Sequence, residues 1–358
     1  MIVLCIKTAM KKITLLFMMI LSTVSYSQTP ITDANFQTAI NTCLATNPVD
    51  GMCSDSGYGA MPDWDVSNVT DMSRAFQFRT TFNVNISAWD TSNVADMFYM
   101  FRNCEDFNQN LNSWDVSNVT DMSGVFNGAY NFNQPLNNWD VSSASVMESM
   151  YRYATSFNQN LNSWDVSSVT DMHGMFSNAT LYNSNISSWD MSSVDNVSGM
   201  FSNASSFNQD IGSWNVSSVT VMHDMFEDAT AFNQDLNSWN VSNANNMHDM
   251  FRGATSFNGA IGNWDISTAT HIYGMFNGAT SFNQDIGSWN LSNIANTSLM
   301  FHGATSFNQN LNSWDVSGVT TMFEMFNKAT SFNQNLNSWD VSSVTDMTDM
   351  FNEANVFN

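Results

Sequence analysis

The chain has 358 residues, 43% hydrophobic and 13% aromatic, enough apolar material for a core and too much for a disordered chain. Only 11% are charged, and 32 acidic residues outnumber nine Lys and Arg, giving a formal net charge of −23. Such a surface repels phosphate backbones and anionic membranes, which excludes nucleic acid and leaves cationic groups, divalent ions or neutral glycans as partners.

The chain opens with an export pattern. Met10-Lys11-Lys12 is a positively charged start, Ile13 to Leu21 is an apolar run, and Ser25 and Ser27 are small residues at −3 and −1 of a cleavage before Gln28. The run is too short to span a bilayer as a stable helix. Residues 1–27 are therefore read as a signal peptide region, with Met10 a candidate true start and no transmembrane segment expected in the mature chain. Cleavage leaves six basic residues (Arg74, Arg79, Arg102, Arg152, Arg252 and Lys328) against 32 acidic ones, a net charge of −26. The expected location is secreted or at the cell surface.

Residues 28–60 read as an N-terminal cap segment. Cys43 and Cys53 flank a polar, turn-rich stretch, and a disulfide between them would stiffen the cap in an oxidising compartment. Cys104 stands where most later units carry Ala and reads as a small buried residue.

From residue 61 to 358 the chain is a repeat. Its twelve tryptophans, Trp64 to Trp339, recur every 25 residues without an insertion. Around each Trp apolar residues alternate, as in Trp164-Asp165-Val166-Ser167, which predicts a short strand with one buried face. Val169, Met172, Met175, Phe176 and Ala179 then recur at three- and four-residue steps, which predicts an amphipathic helix, with Ser167 and its equivalents placed to cap it. One such unit cannot bury its apolar face alone, and stacking buries it against its neighbours. The expected fold class is α/β, a leucine-rich-repeat-like solenoid of about twelve 25-residue strand–helix units, with a parallel β-helix as the alternative. At about 4.8 Å per unit the sheet would run roughly 55 Å. The chain stops inside the twelfth unit, so a C-terminal cap is expected to be missing.

Two polar rows stand out. Asn83, Asn108, Asn133, Asn158, Asn183, Asn208, Asn233, Asn258, Asn283, Asn308 and Asn333 follow the second aromatic of successive units and read as a structural ladder beside the core, each amide satisfying turn backbone groups. The residue after each Trp is Asp65, Asp90, Asp115, Asp140, Asp165, Asp190, Asp265, Asp315 or Asp340, with Asn at the three other units. Alternation points these side chains outward about 5 Å apart, close enough for carboxylates to repel and for Ca²⁺ or a cationic ligand to relieve them. The Asn exchanges instead suit a shared oxygen accepting a backbone hydrogen bond. Of five histidines, His173, His223 and His248 share one repeat position, and the last two lie in adjacent units, where stacking could pair them on a transition metal or leave them as exposed polar positions. No nucleophile elbow, metalloprotease helix or phosphate-binding glycine loop appears, so no enzyme and no cofactor is expected.

The motif Trp-Asp-Val-Ser-x-Val-Thr-x-Met-x-x-Met-Phe, followed by Ala-x-x-Phe-Asn-Gln, resembles bacterial surface proteins with BspA-like leucine-rich repeats, over residues 61–358. The resemblance implies a leucine-rich-repeat-like fold, with Leu161, Trp164 and Val166 in the leading apolar positions, and surface display with attachment to extracellular proteins or glycans. The first unit departs from the pattern with Ala75 and Arg79, as does a terminal unit. Later ones depart at Ala244, Ile272 and Thr297. The functions expected are an adhesion or binding scaffold, a passive stalk, or a Ca²⁺-dependent assembly module.

Overall fold

The computed structural model describes residues 29–358. The signal peptide region expected over residues 1–27 lies outside them. A single helix, α1 (Phe36–Thr46), opens the described chain and buries Phe36, Ala39, Ile40, Cys43 and Leu44 on one face. A disulfide joins Cys43 at its end to Cys53, closing a small loop over the first unit. Phe36 meets Trp89 edge-on at 5.8 Å, so the cap and the stack share one core. Among the described residues no helix is long and apolar enough to cross a membrane.

Asp33 closes the first edge of the stack. Within the array, the amide of Ala95 donates to the carbonyl oxygen of Thr70, one unit back, at 2.8 Å. The first unit has no such unit behind it. Asp33 supplies the acceptor instead, taking the Thr70 amide at 2.7 Å, the Thr70 hydroxyl at 2.8 Å and the Asp71 amide at 3.1 Å. Burial works to raise its pKa, but these hydrogen bonds from Thr70 and Asp71 outweigh it and the net shift is downward. Arg79 departs from the repeat for a related reason: its guanidinium donates to Asn41 Oδ1 of α1 at 2.6 Å.

The units stack as predicted but are built differently. Neither the helix after each Ser nor the strand through each Trp forms. Around Trp64 the backbone closes local turns, Trp64 N–H to Met61 O and Val69 N–H to Val66 O, so these donors are not free to pair sideways. Parallel pairing occurs instead seven residues after the Trp, as a single bridge between units, Asp71 with Asp96, Asp96 with Asp121 and onward, with a gap between His271 and Asn296.

Past that bridge the Met-x-x-Met-Phe segment forms a chain of tight turns, hereafter the ridge. Its amides alternate in direction. Those of Met72, Arg74, Phe76 and Phe78 donate forward to Asp96, Phe98, Met100 and Arg102 of the next unit, while those of Ala75, Gln77 and Arg79 donate back three residues. The third residue of the 72–75 turn and of the 76–79 turn, Arg74 and Phe78, have φ of 56° and 63°, the left-handed geometry of type II turns. All twelve units repeat both left-handed positions, and that is incompatible with a helix. The apolar three- and four-residue spacing is real, but the turns, not a helix, bring those side chains inward.

Three aromatic columns fill the core. Successive indoles such as Trp89 and Trp114 stack at 6.4 Å with planes 3° apart. The columns of Phe76 and Phe82 run beside them, with Phe76 against Phe101 at 5.5 Å and against Phe82 at 4.0 Å. A buried indole N–H needs an acceptor. Trp64 Nε1 finds one in the cap, on Gly59 O at 3.0 Å, and the later indoles find theirs in the unit before, as Trp114 Nε1 does on Ile86 O at 3.1 Å and Trp139 Nε1 on Leu111 O at 2.9 Å. Cys104 is fully buried, its thiol donating to Phe76 O, and burial pushes its pKa far above the usual thiol value.

Candidate binding face

The post-Trp row lies on the exposed side of the stack, and one oxygen of each side chain, Oδ1, already has a local partner. Asp65 Oδ1 accepts both the amide and the hydroxyl of Ser67, at 3.0 and 2.6 Å, and Asp165 does the same with Ser167. Asn215 reproduces the turn with Ser217, so an amide serves as well as a carboxylate. The Ser that sequence spacing placed as a helix cap is thus the second half of an Asx turn. The hydrogen bonds from Ser67, Ser92, Ser142, Ser167, Ser192, Ser267, Ser317 and Ser342 hold the row's Asp65, Asp90, Asp140, Asp165, Asp190, Asp265, Asp315 and Asp340 below the usual carboxylate range. Where repulsion between neighbours registers in this row, it is the weakest influence. Carboxylate crowding is felt at the bridge column, where burial first, and then Asp71 and Asp121, raise the pKa of Asp96.

The Asn ladder is continuous but sits at the surface rather than in the core. Asn83 Oδ1 accepts the Asn108 amide at 3.0 Å, Asn108 Oδ1 accepts that of Asn133, and the chain of contacts runs to Asn333 and Asn358. Gln109 adds a side-chain donor to Asn83 Oδ1 at 2.9 Å. Its members are exposed or half-buried because the Phe beside each takes the inward position.

Both rows are monotonous. The chemically varied residues collect on the ridge. Every Arg and Lys of the described chain falls at Arg74, Arg79, Arg102, Arg152, Arg252 or Lys328, all within or at the end of a ridge segment. The five histidines fall on the ridge or at its bridge residue. Tight turns explain this: their backbone groups bond within and between units, their apolar residues point in, and the residues between are free of packing demands.

The ridge differs along its length. In the first four units Arg74 lies over Phe98 at 4.8 Å, Arg102 over Tyr99 at 4.6 Å and Phe78 at 5.5 Å, and Arg152 over Tyr153 at 5.3 Å. Phe78 is 59% exposed, and Tyr130 and Tyr153 are also exposed. An arginine–aromatic patch therefore interrupts an acidic molecule. Farther along, His223, Asp224 and His248 come together, Arg252 pairs with Glu227 at 3.0 Å, and His302 faces Glu324 at 2.9 Å. His173, of the same column, is separate and meets Ser198 Oγ at 2.7 Å. Burial holds the pKa of His248 below its usual value, against the pull of Asp224. The arginine–aromatic patch was not anticipated from sequence, although the clustering of Arg74, Arg79, Arg102 and Arg152 in the first third of the repeats was a visible signal.

Among solved structures, a leucine-rich repeat protein from Bacteroides ovatus ATCC 8483 is similar at 11% identity over 78% of each chain, with a TM-score of 0.40. The TLR13–ssRNA13 complex is similar at 11% identity over 83% of this chain, with a TM-score of 0.21, and the match spans 50% of the TLR13 chain. At these scores the fold rests on the geometry above. No match is found among the curated proteins. The family model described as "Mycoplasma protein of unknown function, DUF285" matches residues 51–164, 147–264, 182–286 and 255–358. These tandem matches run through the whole repeat array, and the chain belongs to the DUF285 family.

Proposed function

We propose that the protein is an exported, non-catalytic repeat scaffold that binds an extracellular protein or glycan through the ridge of its first units. The observation that carries this reading is the segregation of chemistry. Structural rows of Asp, Asn and Ser engage in turns and ladders, while the exposed Phe78 and Tyr153 and the half-buried Tyr99 share one face with Arg102 and Arg152. Aromatic faces flanked by guanidinium groups suit sugar rings and anionic or aromatic protein side chains. The disulfide fits an oxidising, extracellular setting. The repeat motif's resemblance to BspA-like surface proteins supports an adhesive role in particular.

The test is binding of the purified protein to a panel of matrix proteins and glycans, with Ca²⁺ and with chelator. Saturable binding to one class, weakened at least tenfold in Phe78→Ala/Arg102→Ala and unchanged in Asp165→Asn, is the expected result. Binding that survives the ridge variant, or none across the panel, would overturn it. The uniform stacking of the units favours one second reading, a passive stalk, which silence across the panel would leave standing.

A further inference from the structure

His223 and His248 occupy the same ridge position in successive units, directly after Met222 and Met247. Stacking brings their rings face to face, with centroids 4.6 Å apart and planes 7° apart. Between them reaches Asp224, a left-handed ridge residue with φ of 56°. Its Oδ2 lies 2.9 Å from His223 Nδ1 and 4.0 Å from His248 Nε2. One donor atom from each residue lies within 4.8 Å of the other two, the only such gathering of three among the described residues. All three side chains are accessible, at 27%, 30% and 19% exposure for His223, Asp224 and His248.

A second observation concerns the tautomer. Asn246, the bridge residue of the same unit, brings its side-chain oxygen to 2.6 Å of His248 Nδ1. An amide oxygen only accepts, so Nδ1 carries the proton and the lone pair of the neutral ring sits on Nε2, the nitrogen facing Asp224. A carbonyl oxygen holding the far ring N–H is the arrangement that orients metal-binding histidines. Tyr273 stacks on His248 at 4.6 Å and backs the ring further.

We propose that His223, Asp224 and His248 form a binding site for one divalent first-row transition-metal ion of the Zn²⁺ type, bridging the seventh and eighth units. Two imidazoles and one carboxylate select such an ion over Ca²⁺ or Mg²⁺, which take oxygen-rich sets. Bond lengths of about 2.0–2.2 Å to each ligand require donors roughly 3.4 Å apart in a tetrahedral site. The His223–Asp224 pair, now at 2.9 Å, therefore opens slightly and releases the Nδ1 proton it holds to solvent, while His248 Nε2, now at 4.0 Å from Asp224, closes by about half an ångström, which needs the two rings to tilt from parallel. Solvent leaves them room to do so. The fourth position faces water. This site stands apart from the arginine–aromatic patch and holds whether or not that patch binds a ligand.

The experiment is calorimetric titration of the untagged, chelator-treated protein with Zn²⁺, and separately with Ca²⁺. One Zn²⁺ per chain and no uptake of Ca²⁺ at this site is the expected result. Zn²⁺ should raise the melting temperature, and His248→Gln should cost at least a hundredfold in affinity with the far-ultraviolet spectrum unchanged. Asn246→Ala, which touches only the supporting residue, should cost on the order of tenfold, and His173→Ala nothing. Absence of saturable Zn²⁺ uptake by the parent protein would overturn the site without recourse to any variant. So would full uptake by a folded His223→Gln/His248→Gln protein.

Discussion

At each Asp of the post-Trp row a carboxylate oxygen does the work of a backbone carbonyl, taking the amide and hydroxyl of the Ser two residues on. The sequence already hinted at this, because Asn215, Asn240 and Asn290 replace Asp without disturbing the motif around them. The hydrogen bonds favour the ionised form, so the folded pKa lies below the ordinary value of 3.8. The sign follows: this contribution to stability is present above the unfolded pKa and is lost as pH falls through the folded one. Acidification below about pH 4 should therefore lower the urea midpoint. A variant with Asp140, Asp165 and Asp190 all changed to Asn should keep its turns at pH 7 and lose less on acidification. Equal acid sensitivity in variant and parent, by urea titration at pH 7 and pH 3, would contradict it.

Elements tell a different story. The Met-x-x-Met-Phe spacing reads as a helix because both a helix and a run of linked turns return apolar residues to one side at three- and four-residue steps. The distinguishing signal lay in the residues between. The second left-handed column is Gly, Asn or Asp in eight of its twelve positions, the residues that tolerate positive φ, and a helix interior disfavours all three. The twelve-unit period, the buried Trp and Phe columns and the Cys43–Cys53 disulfide were legible because each depends only on spacing and apolarity. The site at Asp224 was half legible: adjacency of His223 and His248 followed from the period, whereas the carboxylate between them depends on the ridge geometry. One junction breaks the regular ladder. Met72 and Ala95 donate across their junction, but their equivalents Ile272 and Ala295 find no backbone acceptor in the neighbouring unit, and a buried Thr297 replaces the usual Met there. Amide hydrogen exchange should be faster at Ile272 and Ala295 than at Met72 and Ala95, with local opening centred between the ninth and tenth units. Equal protection at the two sites would refute a weak joint.

For the whole molecule, the bonding is between nearest neighbours. Core contacts, indole hydrogen bonds, the Asn ladder and the ridge ladder each join one unit to the next, while Asp33 and the disulfide hold the first end. Such an array responds as a one-dimensional chain of similar couplings. Its backbone hydrogen bonds between units run along the stacking axis, the direction in which a load between the two ends would act. A pull at the termini therefore opens the junctions one after another. Each opened unit releases 25 residues, about 80 Å of new length once the stacked rise is subtracted. Single-molecule extension should record a sawtooth of evenly spaced small peaks, with the joint at Thr297 yielding among the first. A single large rupture would show the units to be coupled over a longer range. An array of this kind, if held at both ends, lengthens under load, spreading a sudden tug over many small yields.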